Sequence, residues 1–225
     1  LDPKGIGAIT LEPFDIVEAA YLSSMVYLDF SEGSIHVLAT NVVGTSFNGH
    51  LAAYYNGHYF LAPDNGILSL IFGEHFNDYY LIPTESYEQN IQNVYMPFIS
   101  QLAAGKQLID IAQKASSVQI STRITTVNDG LELRGTVLFV DHFGNAYTNI
   151  LKEEFTDFTR NSGYIINLGK HTQVKEISND FSDVKEGDPL CYFSDHGYLV
   201  VSIKKSSAER LLNFRKYKPL LIQKV

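Results

Sequence analysis

The sequence predicts an α/β domain of Rossmann-like form followed by a β-barrel domain, and three observations carry that expectation. Up to Ala115, apolar residues recur at helical spacing in "IVEAAYLSSM" and again in "VYMPFISQLAAGKQLIDIAQKA", with strand-like runs between them. From Gln119 onward the pattern changes to short β-rich runs separated by Gly, Asp and Asn, as in all-β barrels. Between the two lies the polar stretch "SSVQISTRITT", Ser116 to Thr126, where few apolar side chains are available to bridge two cores. Residues 1–120 are therefore assigned to the first domain and 121–225 to the second.

In chain order, "LDPKGIGAIT" reads as loop and glycine-rich turn. In "LEPFDIVEAAYLSSMVYLDF", Ile16, Ala19, Ala20, Leu22 and Met25 fall near helical spacing, with Pro13 close to the helix start. An α/β domain usually places a strand before such a helix; none is visible, so an N-terminal segment is expected to be missing from the chain. "SIHVLAT" is a compact β-rich run of the kind that fills a buried sheet, and it ends in the loop "NVVGTSFNGH". "LAAYYNGHYFLAP" is a hairpin around Asn56 and Gly57, because both central residues of a type I′ turn need positive φ. "PDNG", Pro63 to Gly66, is a turn before a short helix in "ILSLIFG", and "DYYLI" is a further strand. The later helical stretch breaks at Gly105. The second domain supplies strands in "LELRGTVLFV", "YTNI", "GYIINLG", "HTQVKEIS" and "PLCYFSDHGYLVVSIKK".

Composition excludes several functions. The 17 basic and 25 acidic residues, net charge -8, oppose a nucleic-acid partner, which requires clustered Lys and Arg for the phosphates. Arg215, Lys216 and Lys218 form the only basic cluster and read as a solvated tail. No apolar run approaches the roughly 20 residues of a membrane span, and the N-terminus has no secretory pattern, so a cytoplasmic protein without a membrane partner is expected. The lone Cys191 forbids an internal disulfide and, within "PLCYF", reads as an inert buried thiol. Walker A, CxxC, HExxH and GxSxG patterns are absent from the sequence, and its 7 histidines are scattered, which argues against a metal site.

The stretch that points to chemistry is "DHFGNAYTNI", Asp141 to Ile150. One reading is a bulged turn, since Asp and Asn tolerate turn geometry and Gly144 can take positive φ. The other is a binding loop: Asp141 can face a cation, Asn145 can donate and accept as a purine edge requires, and Phe143 or Tyr147 offers an aromatic face. "YFSDHGY", Tyr192 to Tyr198, repeats the style with Ser194, Asp195 and a glycine.

Taken with "EPFDIVEAAYL", "GSIHVLATNVVGT", "YFLAPDNGILSLI", "PFISQLAAG" and "YFSDHGYLVVSIKKSSAERLL", this loop resembles the S-adenosylmethionine hydroxide adenosyltransferase family, which is related to the fluorinating and chlorinating adenosyl enzymes. The matching stretches run in order through nearly the whole chain, and "FGNAYTNI" and "APDNG" are the most specific. The resemblance implies a homotrimer that holds an adenosyl ligand between the first domain of one subunit and the second domain of its neighbour. It further implies that Asp141 and Ser194 hold the methionine end, that Asn145 bonds the adenine with the Tyr147 ring against it, and that the backbone around Ser207 closes over the purine. No cofactor is implied; S-adenosylmethionine is itself substrate or ligand.

At the reacting end the sequence departs from the family pattern. There an aspartate, an arginine and a histidine position and activate water for in-line attack on the ribose C5′. The family loop Val-Asp-Pro-Gly-Val-Gly-Thr stands here as "ATNVVGT", which puts Thr40 at the acid; a one-residue shift would put Asn41 there. The arginine becomes Phe47 and the histidine Asn90, so all three catalytic positions are uncharged. The family's N-terminal segment, with an aspartate on the ribose hydroxyls, is not recognisable, and Asp2 is its candidate remnant. The leading expectation is an S-adenosylmethionine-binding protein that hydrolyses its ligand to adenosine and methionine. The alternatives are a non-catalytic adenosyl-binding module and a structural homo-oligomer with a vestigial site; halide transfer carries little weight.

Overall fold

The computed structural model describes residues 15–40, 49–84, 91–160, 162–169 and 171–225. The chain divides into two compact units, Leu1–Arg123 and Ile124–Val225. Among the described residues no helix is long and apolar enough to cross a membrane.

In the first unit, α1 (Ile16–Val26) begins where the Asp15 carboxylate accepts the Glu18 N–H at 2.9 Å, satisfying one of the unpaired donors of the first turn. It is followed by β1 (Ile35–Val37), β2 (His50–Tyr55), β3 (His58–Pro63), α2 (Ile67–Phe72), β4 (Tyr79–Leu81), α3 (Ile91–Ala103), α4 (Leu108–Ile111) and β5 (Gln113–Lys114). The β2–β3 hairpin closes at Tyr55 opposite His58, with φ of 48° at Asn56 and 86° at Gly57, the type I′ turn expected of that dipeptide. Side chains alternate across the sheet. Leu51, Ala53, Phe60 and Ala62 pack in one core with residues of α1 and α2, while Ala52 and Leu61 pack in another with residues of α3 and α4.

The unit is mixed α/β, but the Rossmann-like form is not borne out. Strand order is β1-β3-β2-β4-β5, and among the described residues only β1 and β3 run parallel. A Rossmann sheet is mostly parallel because each strand is followed by a crossover helix. Here the two-residue Asn-Gly turn sends β3 straight back along β2. Nor does "SIHVLAT" fill the sheet: β1 has three residues, of partial or full exposure, and pairs on one side only among the described residues. Pro13 and the question of an earlier strand fall in residues 1–14, outside the described residues.

The second unit contains β6 (Val127–Asn128), β7 (Glu132–Val140), β8 (Ala146–Leu151), α5 (Lys152–Thr159), β9 (Tyr164–Gly169), β10 (Thr172–Val174), β11 (Pro189–Phe193), β12 (Tyr198–Ile203), α6 (Ala208–Leu212) and β13 (Pro219–Lys224). The antiparallel order is β10-β9-β13-β7-β8-β12-β11, with β6 on β7. The sheet is barrel-like and nearly closed: just beyond β10, the Ser178 N–H donates to the Cys191 carbonyl of β11 at 2.8 Å. Val137, Ala146, Ile166, Cys191, Val201 and Ile222 fill its interior, each contributing about 1.5–3 kcal/mol if Ala is set aside. Burial pushes the Cys191 thiol up, which makes it the inert core residue its context indicates.

The basic cluster is not a solvated tail. Tyr217 and Lys218 pair with Val137, and the chain continues as β13, hydrogen-bonded to β7 on one side and β9 on the other. Lys218 Nζ donates to the Leu212 carbonyl at 2.7 Å and lies 4.1 Å from the Phe214 ring centre. Desolvation holds its pKa below the usual lysine value. Leu220 and Ile222 alternate inward, and two buried strand residues outweigh the flanking charges in deciding where this segment goes.

Candidate functional site

β7 and β8 are joined by five residues, Asp141 to Asn145, and the sequence of that loop dictates its shape. Main-chain bonds run from Asp141 N–H to the Asn145 carbonyl at 3.0 Å and from Gly144 N–H to the Asp141 carbonyl at 2.9 Å. The Asp141 side chain organises the turn: Oδ1 accepts Phe143 N–H at 3.0 Å and Asn145 N–H at 2.9 Å, and Oδ2 accepts Asn145 Nδ2 at 2.8 Å. Asn145 Oδ1 in turn accepts the hydroxyl of the fully buried Ser202. Gly144 sits at φ +83° with Ser207 so close that an added Cβ would collide with its Oγ. Ser207 caps α6 by accepting Arg210 N–H at 3.1 Å, and Glu209 N–H donates to the Gly144 carbonyl at 3.1 Å. The loop is thus fastened to the start of α6.

Beside the loop runs an aromatic row. Phe139, Tyr147, Val200 and Tyr192 stand in register across β7, β8, β12 and β11. The Phe139 and Tyr147 rings stack at 4.4 Å with an interplanar angle of 19°. Tyr147 and Tyr192 share a hydrogen bond, and both phenols are held above their usual pKa, chiefly by burial and further by the carboxylates of Asp141 and Asp195. Both therefore stay neutral at physiological pH. The loop and, from the row, Tyr147 open onto a concavity of about 670 Å³, whose lining includes Asp141, Phe143, Asn145, Tyr147, Phe181 and Arg210. That is the size range of small-molecule sites.

Capacity remains in the polar groups. A carboxylate offers about four acceptor positions, and three on Asp141 are occupied, which leaves one on Oδ2. Asn145 uses one of two amide hydrogens and one of two carbonyl lone pairs, so it can still meet a partner that both donates and accepts.

The structure brings Asp141, Asn145 and Tyr147 together, with Ser207 beneath the loop at 4% exposure. Ser194 lies in the β11–β12 turn, where its hydroxyl accepts Tyr198 N–H at 3.2 Å and its carbonyl accepts Gly197 N–H at 2.8 Å. The neighbouring Asp195 adds its charge to that of Asp141 at Tyr147 and Tyr192. In the first unit, the Thr40 carbonyl accepts Asn65 Nδ2 at 2.9 Å. Phe47, Asn90 and Asp2 lie outside the described residues. Sequence reasoning missed Tyr192, Ser202, Phe181 and Arg210. The first two are found only once strand register is known, since they face Tyr147 and Asn145 across the sheet.

Comparison with known proteins gives this geometry a family. The model of the SAM hydroxide adenosyltransferase N-terminal domain matches residues 8–112, and that of the C-terminal domain matches residues 135–220. The chain belongs to the S-adenosylmethionine hydroxide adenosyltransferase family. Among the proteins similar to this family member is an (R)-S-adenosyl-L-methionine hydrolase of Methanocaldococcus jannaschii, 22% identical over 211 residues, 90% of this chain and 76% of that protein. A second, from Thermus thermophilus and also named (R)-S-adenosyl-L-methionine hydrolase, is 26% identical over 129 residues; that match covers 57% of this chain and only 46% of the relative. Two crystal structures share the fold. An uncharacterized conserved protein from Thermotoga maritima superposes with a TM-score of 0.80 at 23% identity, covering 95% of this chain and 86% of its own. A conserved hypothetical protein from Thermus thermophilus does so with a TM-score of 0.72 at 22% identity, covering 96% and 84%.

Proposed function

We propose that this family member binds S-adenosylmethionine at the Asp141–Asn145 loop and hydrolyses it to adenosine and methionine by attack of water on the ribose C5′. The observation that carries the reading is the spare hydrogen-bonding capacity of Asp141 and Asn145 beside the Tyr147 ring, in one concavity of nucleoside size. The free position on Asp141 Oδ2 takes the ammonium, and the remaining N–H and lone pair of Asn145 take the adenine edge. The Tyr147 ring, backed by Phe139, lies against the base, and the segment at Ser207 closes over it. Ser194 joins Asp141 at the methionine end, where its hydroxyl can still donate.

In the reaction the water oxygen forms a bond to C5′ while the C5′–S bond breaks. Its electron pair passes to the sulfonium, which leaves as a neutral thioether, and the water proton passes to solvent. The leaving group needs no acid. The nucleophile does need to be positioned, and Thr40, Phe47 and Asn90 stand where the family has its charged groups. None of the three is a base at neutral pH, and lack of a positioned acid–base group typically costs about 10² to 10⁴ in rate. Slow hydrolysis by a divergent active site, with no cofactor beyond the substrate, is therefore part of the proposal, as are a homotrimeric assembly and a cytoplasmic location.

The test is turnover in ¹⁸O-labelled water with mass spectrometry of the products. The proposal expects the label in the 5′-hydroxyl of adenosine and none in methionine. Label in methionine, or thermal stabilisation by S-adenosylmethionine without any product, contradicts the hydrolytic step.

A further inference from the structure

We infer that the turn after β3 sets the position of Thr40, with Asn65 as the positioning residue; the inference rests on the reading of Thr40 given above. Among the described residues β1 and β3 are the parallel pair of the first sheet, and Leu38 N–H still donates to the Leu61 carbonyl at 2.8 Å. Thr40 thus lies two residues beyond the last bond of one strand, and Asn65 two residues beyond the end of the other. The carboxyl ends of neighbouring parallel strands are where open α/β sheets place ligands and reacting groups.

Three hydrogen bonds make the turn a clamp. Asn65 Nδ2 donates to the Thr40 carbonyl at 2.9 Å, and Asp64 N–H donates to the Gly49 carbonyl at 2.8 Å, so Thr40 and Gly49 are each bonded to the turn. Asn65 Oδ1 accepts Ile67 N–H at 3.2 Å, which ties the same side chain to the start of α2. The turn is anchored inward by Asp64, 1% exposed, whose Oδ1 accepts Gln119 N–H at 2.7 Å. Among the described residues, its Oδ2 and the buried Tyr79 hydroxyl have no hydrogen-bond partner. Burial, with Asp64 adding to it, pushes the Tyr79 phenol up to about 12. Bonding the start of α2 needs only an acceptor at position 65. The amide donor of Asn65, which capping does not require, is accounted for if the turn is built to grip Thr40.

The amide separates the two roles of Asn65. Asn65→Asp keeps the acceptor for Ile67 N–H and sets a carboxylate oxygen in place of the donor to Thr40; Asn65→Ala removes both. A residue that merely caps α2 would make Asn65→Asp silent. If Asn65 positions Thr40, both variants lower kcat by about 10- to 100-fold, the scale of a misplacement near 1 Å. KM and the thermal shift produced by S-adenosylmethionine stay within about 3-fold of the parent value, since the loop at Asp141 is untouched. Turnover is measured in the natural sequence and in the Thr40→Asp, Phe47→Arg, Asn90→His background. Unchanged kcat in Asn65→Asp overturns the inference. If neither background releases adenosine, it is the hydrolase reading that has failed, and the clamp is then decided by the ¹³C resonance of the Thr40 carbonyl. An upfield move in both variants supports it, and an unmoved resonance in Asn65→Asp overturns it.

Discussion

At the scale of single residues the site is a problem in hydrogen-bond accounting. Asp141 shapes its own loop and, in the proposed function, also faces the ligand, so Asp141→Asn alters both. The new amide nitrogen would oppose a donor, either Asn145 Nδ2 or the main-chain N–H groups, and the loop should lose about 1–3 kcal/mol, read from urea unfolding. Beyond that common loss, S-adenosylmethionine should weaken more than adenosine, because only the former carries an ammonium; equal weakening of the two ligands by calorimetry would leave Asp141 a turn residue alone. Gly144→Ala should cost about 2–4 kcal/mol, since its Cβ would collide with Ser207 Oγ in a backbone region that disfavours side chains. Adding Ser207→Gly should recover part of that loss, and no recovery would locate the strain elsewhere. The acid, amide and ring of this loop are legible in "DHFGNAYTNI" because their chemistry is local. The partnership of Asn145 with Ser202 is not, because it joins residues 57 positions apart through strand register.

Elements were legible where short-range physics decides them. Asn56-Gly57 specifies its hairpin, and Gly105, at φ +86°, ends its helix. β13 was missed because the flanking Arg215, Lys216 and Lys218 masked two inward-facing apolar residues. Ile222, fully buried between β7 and β9, should cost about 2–5 kcal/mol on replacement by Ala in a denaturant titration; a cost below about 1 kcal/mol would mean that the strand is peripheral. Also unforeseen was the pairing of His36 Nε2 with His58 Nδ1 at 3.2 Å, among the rings of Tyr27, Phe30 and Phe60. Burial, and then His58, lowers the pKa of His36 from 6.5 to about 4. Between those values the unfolded chain binds a proton that the folded one refuses, so stability falls as pH drops from about 6.5 to 4. The effect should be on the order of 1–3 kcal/mol, allowing for solvent screening. His36→Gln should flatten that slope in unfolding measured across pH, and an unchanged slope would assign it to other groups.

For the whole molecule, the change from helical to strand periodicity near residue 120 made a mixed α/β chain with a barrel-like sheet readable, because periodicity records which face each element buries. The antiparallel order of the first sheet was less accessible, since it follows from turn geometry rather than from apolar pattern. Assembly belongs to this scale as well. A ring of identical head-to-tail contacts closes at a defined rotation, and the proposed homotrimer should scatter light as three times the 25.2 kDa chain. A monomer at micromolar concentration would remove that part of the account.

The central claim, slow hydrolysis of S-adenosylmethionine by a site whose charged triad has been replaced, is tested most directly by one comparison of initial rates. Adenosine and methionine are quantified chromatographically for the natural sequence and for the triple variant Thr40→Asp, Phe47→Arg, Asn90→His. The account predicts equimolar products from both, with the triple variant faster by about 10² to 10⁴. Rapid turnover by the natural sequence with no gain in the triple variant would show that another group activates the water, and the absence of either product from both proteins would contradict the claim outright.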